Sequence, residues 1–530
     1  MGTITPVQAL RSLGLLLFAT TILTRCSCGS DSPNPGGDGG VSDGSARGDG
    51  SASGDGSAGG DGSASGDGGD PLEQPLSEFC RGMGSVVVVG GDGTCAGDLA
   101  EESFRFAICA CDTMLVQSTI SLDGFDSRLG PYGAALPGGG VNINDDGQLG
   151  INGALTMDGK LEVRGSAFIG GGGVTLGPRS QITRNLYAAG PAVQPNSSST
   201  VERNAFIDGD VSGRFDIMGD LHVPQSATVS GSTEQNLGGR LVREAIPHRA
   251  PCACEASEIL DVGALTNFGR THNDNAATHV LTATTWASGT GPQSIALPCG
   301  RYYLTRVQHP GTLNIRADGR VVLFVDGDMT IGGGFDLSLG PAGEVDLFIA
   351  GNLSVQAAAS FGSAASPAKV RTYVGGTGDI LLNAASTFGG NLYAPRSRVI
   401  FGASASLNGA LVARRAEFSG SASVHFDRAI RSASQSCHPQ ADGGVAGADS
   451  GLPAADSGLP AVDSGVASAD GSTPAVDSGV GAADAGATQC SGCGQCGTGA
   501  CINGQCGACQ SDLDCCAPNV CLSGQCTVLP

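Results

Sequence analysis

Ala154-Leu-Thr-Met157, Leu161-Glu-Val163, Ala167-Phe-Ile169 and Val174-Thr-Leu176 follow one another across short breaks rich in Gly, Asp and Ser. Each is an apolar alternation of three or four residues, too short to hold a sheet together alone. Stacked on similar rungs above and below, it can bury its inward side chains against its neighbours, which is the logic of a β-solenoid. The breaks suit the corners of such a coil, where a tight turn or a positive φ is needed. The spelling recurs further on: Ile207-Asp-Gly-Asp-Val211 is echoed by Val325-Asp-Gly-Asp-Met329, and Asn185-Leu-Tyr-Ala188 by Asn391-Leu-Tyr-Ala394. The pattern predicts an all-β chain, a parallel β-solenoid in two stretches, 141–245 and 300–437. Between them, in 246–299, Ile259, Leu260, Val262, Leu265 and Phe268 are spaced as on a short helix. That helix would pack at the junction or cap an open end.

Composition sets the rest of the organisation. There are 87 Gly in 530 residues, more than twice the ordinary share, and many lie outside the solenoid. Residues 27–70 and 438–489 are Gly/Asp/Ser/Ala tracts with nothing to bury, expected to be disordered linkers. They also hold much of the net charge of −22; residues 31–70 carry eight Asp against one Arg, and 441–489 carry seven Asp and no basic residue. With only two lysines in the chain, Lys160 and Lys369, no basic cluster is available for nucleic acid or anionic lipid headgroups.

Arg11 precedes the apolar run Leu13–Leu23, too short for a bilayer span of about 20 residues but right for a signal peptide, assigned to 1–26. Leu23-Thr24-Arg25-Cys26 resembles a bacterial lipobox, although Arg25 stands where a small residue is usual. The resemblance implies lipidation at Cys26, a membrane partner reached through that lipid, and a place at the outer membrane or cell surface; the alternative is a secreted protein. Export makes paired cysteines disulfides before they are metal ligands. Residues 71–140 read as a Cys-containing N-terminal region. At the other end, 490–530 holds ten cysteines: Cys490, Cys493, Cys496, Cys501, Cys506, Cys509, Cys515, Cys516, Cys521 and Cys526. The spacing Cys496-x4-Cys501-x4-Cys506 repeats twenty residues later, each copy closing on Gly-Gln-Cys. That is a small disulfide scaffold of open connectivity, resembling cysteine-rich partner-binding modules of secreted proteins.

Leu297-Pro-Cys-Gly-Arg-Tyr-Tyr303, Gly319-Arg-Val-Val-Leu-Phe-Val-Asp-Gly-Asp328, Val345-Asp-Leu-Phe-Ile-Ala-Gly-Asn-Leu353 and Gly390-Asn-Leu-Tyr-Ala-Pro395 together resemble a domain of unknown function. It is found in bacterial cell-envelope lipoproteins, with a relative in proteins associated with type IV pilus assembly. Upstream, Phe104-Arg-Phe-Ala-Ile-Cys-Ala-Cys111 and Pro251-Cys-Ala-Cys254 resemble the N-terminal half of the same lipoproteins. The resemblance implies a right-handed β-solenoid in the envelope and no known activity.

Candidate chemistry is sparse. His248 with Cys252 and Cys254 sketches a metal site, which export turns into a disulfide reading. Asn142-Ile-Asn-Asp-Asp-Gly147 imitates the start of a calcium loop, but Gly153 occupies the position of its closing Glu. A polysaccharide lyase or hydrolase on a solenoid would need acidic side chains converging in a groove, and Asp326, Asp328, Asp336 and Asp346 are the candidates. Aspartate at a required turn is more often structural, and sugar grooves want aromatics where the chain has one Trp. The expectation is therefore no catalytic residue, no metal and no cofactor. It describes a structural, adhesive or display scaffold with a cell-surface or polysaccharide partner; a pilus-like assembly factor and a groove enzyme are the alternatives.

Overall fold

The computed structural model describes residues 75–81, 86–89, 92–248, 250–382, 386–402, 404–436 and four short strands between 500 and 527. The assigned signal peptide with Cys26, both linkers, and Cys490, Cys493, Cys496, Cys509, Cys515 and Cys516 lie outside the described residues. The chain divides into two units, Met1–Gly444 and Val445–Pro530.

The apolar triplets form the expected strands. Leu155–Met157, Leu161–Val163 and Ala167–Ile169 each bury their outer two residues and turn the middle one outward. These three define the second, third and first faces of a parallel β-solenoid of about 13 turns. Rungs stack in register: Leu186, Tyr187 and Ala188 lie between Ala167, Phe168, Ile169 on one side and Ala205, Phe206, Ile207 on the other. The inward residues make one continuous core from Leu297 to Leu241. Close stacking lets inward rings pile up, as Phe401 on Phe418 at 4.7 Å.

The recurring motifs are the corners. In both Asp-Gly-Asp copies the second aspartate accepts from a backbone N–H of the next coil, Asp210 from Thr228 at 2.7 Å and Asp328 from Asn352 at 2.7 Å. The asparagines of the other motif do the same, Asn185 for Asn204 and Asn391 for Ala410. A corner interrupts the strand ladder and leaves donors to satisfy; a short acceptor side chain there satisfies one per coil.

The order of the coils is not the order of the chain. Strands Ile108–Val116 and Ile120–Phe125 pair in parallel with Leu411–Phe418 and Ala422–Asp427 on one side. On the other side they pair with Leu149–Ile151, Leu155–Met157 and Leu161–Val163. Residues 108–125 thus form the central coil. From it the chain runs outward through 149–243, crosses back, restarts at the far end at Ser294 and returns to dock on the coil where it began. Stretch one starts at Leu149, since 126–148 is a loop over the seam.

Helices pack outside the coils. Helix α1 (Leu76–Phe79) and helix α2 (Ala96–Ser103) belong to the N-terminal segment, and helix α3 (Val262–Thr271) to the junction. The last begins at Val262 because Asp261 caps it, accepting from Ala264 N at 3.0 Å; residues 255–261 are not part of it. It packs sideways against strands Gly300–Leu304, Arg320–Val325 and Glu344–Ile349. Gly269 permits the approach: a Cβ there would stand 2.3 Å from the Phe324 ring. Gly269→Ala, stabilising in an uncrowded helix, should here cost about 1–3 kcal/mol through overpacking; a melting temperature equal to or above wild type would refute this contact.

In the second unit the twenty-residue repeat gives the same antiparallel hairpin twice. Cys501 lies opposite Cys506 in one, and Cys521 opposite Cys526 in the other.

Candidate binding face

Two of the column's surroundings are already occupied. Over stretch two, the first face presents Tyr303, Phe324, Phe348, Tyr373 and Tyr393 outward, all buried. Phe104, which follows α2, packs on Tyr373 and Tyr393 at 5.7 and 6.4 Å. Along stretch one, a strap of residues 244–254 is pinned by Glu244 to His222 at 2.6 Å and by reciprocal bonds between Asn152 and Cys252, with His248 Nε2 lying 3.1 Å from Asp208.

The third face is different. Its central outward position carries, in successive rungs from the far end, Ser294, Asn314, Asp336, Ser360, Thr387, Ser406, Ser423, Ser121, Glu162, Gln181, Thr200 and Asp216. None is buried. At the strand spacing of roughly 4.8 Å, this polar column is about 50 Å long. Five consecutive rungs in its middle bear only hydroxyls, so the face there is flat. Neighbours hydrogen-bond along it, Asn314 to Ser294 at 3.0 Å and Thr387 to Ser360 at 3.3 Å. Position and register make the column; each member looks like an ordinary polar residue in the sequence. The available signal was a polar residue in the middle of each triplet, which aligns only once the rung order is known.

One edge of this face carries charge. Asp123 accepts from the Tyr132 hydroxyl at 2.7 Å and pairs with His425 Nδ1 at 2.6 Å, while the Tyr132 ring lies tilted by 30° against the imidazole, centroids 3.8 Å apart. Burial, and then the bond to Asp123, push the Tyr132 phenol well above its ordinary range. Nearby, burial works to raise Asp126, but the side-chain bonds from Arg128, at 2.8 and 2.6 Å, together with its backbone N–H and the charges of Arg128 and Arg428 hold the carboxyl low.

The four aspartates proposed for a groove do not converge. Asp326 binds Tyr303, Arg270 and Thr266 and ties α3 to the column. Asp328 is the corner acceptor described above, and Asp336 belongs to the third-face column. Asp346 is buried on the first face against Arg371. The His248, Cys252, Cys254 sketch is also divided: Cys252 bonds Cys109, Cys254 bonds Cys111, and Cys80 bonds Cys299. Cys95 is disulfide-bonded as well. In the calcium-like loop, Asn142 donates to the carbonyls of Asp126 and Gly130, Asp145 pairs with Arg164, and Asp146 faces Arg428 and Arg431. Among the described residues no His, Cys, Asp and Glu cluster has the makings of a metal site, and no helix is long and apolar enough to cross a membrane.

Residues 270–433 match a family model, Domain of unknown function (DUF7305). The match takes in the end of α3 and stretch two as far as residue 433, stopping just past the strand that docks on the central coil. No curated protein matches the chain. Among solved structures, the crystal structure of an ice binding protein from an Antarctic bacterium, Flavobacteriaceae, aligns at 11% identity over 62% of this chain and 97% of that one, with a TM-score of 0.16.

Proposed function

We propose that this protein is an exported, lipid-anchored scaffold of the cell envelope that adheres to an ordered, hydroxyl-bearing surface through its third face and performs no catalysis. The observation that carries this reading is the in-register polar column, uncovered over twelve rungs, on a column whose first face is packed under helices and strap. A rigid, regular array of donors and acceptors is already organised before binding, so little side-chain entropy is lost on contact. Such an array suits a partner that is itself repetitive, such as a packed polysaccharide. The separate commitments of Asp326, Asp328, Asp336 and Asp346 support the non-catalytic part.

The test is co-sedimentation of the full-length protein with peptidoglycan sacculi, cellulose, chitin and polycrystalline ice. Thr387→Arg combined with Ser406→Arg puts two long charged side chains on the flat centre without touching the core. Binding to whichever solid retains wild type should drop at least tenfold at an unchanged melting temperature. Undiminished binding would remove the third face from the proposal. The anchor has its own assay: globomycin-sensitive processing and acyl labelling that Cys26→Ala abolishes.

A further inference from the structure

Among the described residues, the central coil is the one place where the column is assembled from segments distant in sequence on both sides. Residues 108–125 pair with 411–427 across one seam and with 149–163 across the other. Without them, stretch one and stretch two are half-columns joined only through 244–293. The contacts at the first seam are local and repeatable: His425 to Asp123, Ser118 to Ser421 at 3.1 Å, Ser127 N to Asp427 at 2.9 Å, and Arg128 to Ser432 at 2.7 Å. A second copy of the chain offers the same groups at the same spacing.

The arm also has a hinge. Residues 126–148 connect the coil to stretch one, and Gly130, Gly133, Gly138, Gly139 and Gly140 all have φ between +73° and +121°. At the last four, a Cβ would find nothing within 4 Å, so this loop is not wedged against the column there. Fully extended, 23 residues reach on the order of 75 Å, enough to carry the arm to a neighbouring molecule.

The disulfides complete the observation. Cys80–Cys299, Cys109–Cys252 and Cys111–Cys254 each join the arm to the body, across 219, 143 and 143 residues. Corner side chains and core packing hold the stretches; covalent bonds are placed where the arm could leave.

We propose that the N-terminal arm, residues 75–125, is an exchangeable coil able to complete the column of a second copy of this chain, and that its disulfides fix which copy it completes. Exchange replaces every contact between arm and body with an identical one and gives up only those within the loop, such as Asn142 to Gly130, so it costs little beyond association and the opening of the loop. A tether of 23 residues, once opened, gives the chain's own arm an effective concentration of roughly millimolar, so self-completion wins in dilute solution and exchange grows with crowding. Oxidation then traps the outcome. Each bridge forms by thiol–disulfide exchange: two protein thiols reduce one oxidised glutathione to two glutathione thiols and become one S–S bond.

The experiment mixes full-length chains of natural and 15N isotope content, unfolded and reduced, and refolds them in a glutathione redox buffer at about 1 to 200 μM. Cys109–Cys252 peptides are then read by mass spectrometry. Mixed-isotope pairs whose fraction rises at least tenfold over that range are expected; same-isotope pairs at every concentration overturn the proposal. A second measurement covers chains that do not refold in vitro. Two differently tagged chains are co-expressed with export, C80A/C109A/C111A and C252A/C254A/C299A, neither able to make these three bridges alone. A heterodimer linked by Cys109–Cys252 supports exchange, and its absence overturns it.

Discussion

Arg371→Met is expected to destabilise the column by about 3–5 kcal/mol, the usual cost of removing one partner of a buried ion pair. Arg371 lies on the first face with its side chain 3% exposed and Asp346 beside it at 1%. Its guanidinium binds both oxygens of Asp346, one at 2.8 Å, and also Glu344 and the Ala368 carbonyl. Burial pushes the Asp346 carboxyl up, and the Arg371 charge is the chief force opposing that push. Methionine fills much of the space but leaves two carboxylates in rungs already paired by backbone, with nowhere to move. The sign of the pH dependence follows. Asp346 already lies above its ordinary value in the wild type, and loss of Arg371 raises it further, so the variant approaches wild type at acid pH and falls behind as pH rises through the span between the two raised values. Urea denaturation at pH 5 and pH 8 measures it, and a loss below about 1 kcal/mol with no pH dependence would contradict the account. Replacing both partners, Arg371→Met with Asp346→Leu, should recover a good part of the loss, because the desolvation penalty leaves with the charges.

The buried pair also shows where the sequence was legible and where it was not. Rung triplets announce themselves through spacing, and their corners through Asp-Gly-Asp and Asn-Leu-Tyr, because backbone donors at a corner need a short acceptor whatever lies nearby. Arg371 and Asp346 sit on outward positions that ordinarily face water, so nothing local marks them as buried; that depends on helices and the N-terminal segment docking over them. Placing 108–125 in a separate N-terminal region failed for a related reason. Periodicity compares a segment with its chain neighbours, and the rungs that flank this coil are about 40 and 300 residues away. The third face was hidden in the same way, since a column of side chains exists only after the rungs are ordered. The junction helix was legible in its apolar spacing, while its start was set by one capping aspartate.

Removing Cys109–Cys252 and Cys111–Cys254 together is expected to cost far more than twice the loss of either. In the chain-entropy picture the first bond closes a loop of 143 residues, worth roughly 5 kcal/mol. The second then closes only the small ring made by residues 109–111 and 252–254, worth about 2 kcal/mol. Either bond can be the one that closes the long loop, so each single-bridge variant, C109A/C252A or C111A/C254A, should lose about 2 kcal/mol and the fourfold variant about 7 kcal/mol. The site sharpens the contrast. Gly150 leaves room for Cys252 Sγ, 3.2 Å from where its Cβ would be. The outward aromatic ladders stop at this rung, where Val412, Cys109 and Gly150 stand in line between Tyr393 and Phe168. Here the chain has replaced ring stacking with a covalent tie, and cutting it leaves the strap to non-covalent bonds such as those of Asn152, Glu244 to His222 and Glu244 N to the Val223 carbonyl. Urea denaturation of the three variants under oxidising conditions decides the matter. Simple additivity, with the fourfold loss equal to the sum of the two single losses, would mean that the bonds act by local packing and not by tying the central coil to the junction.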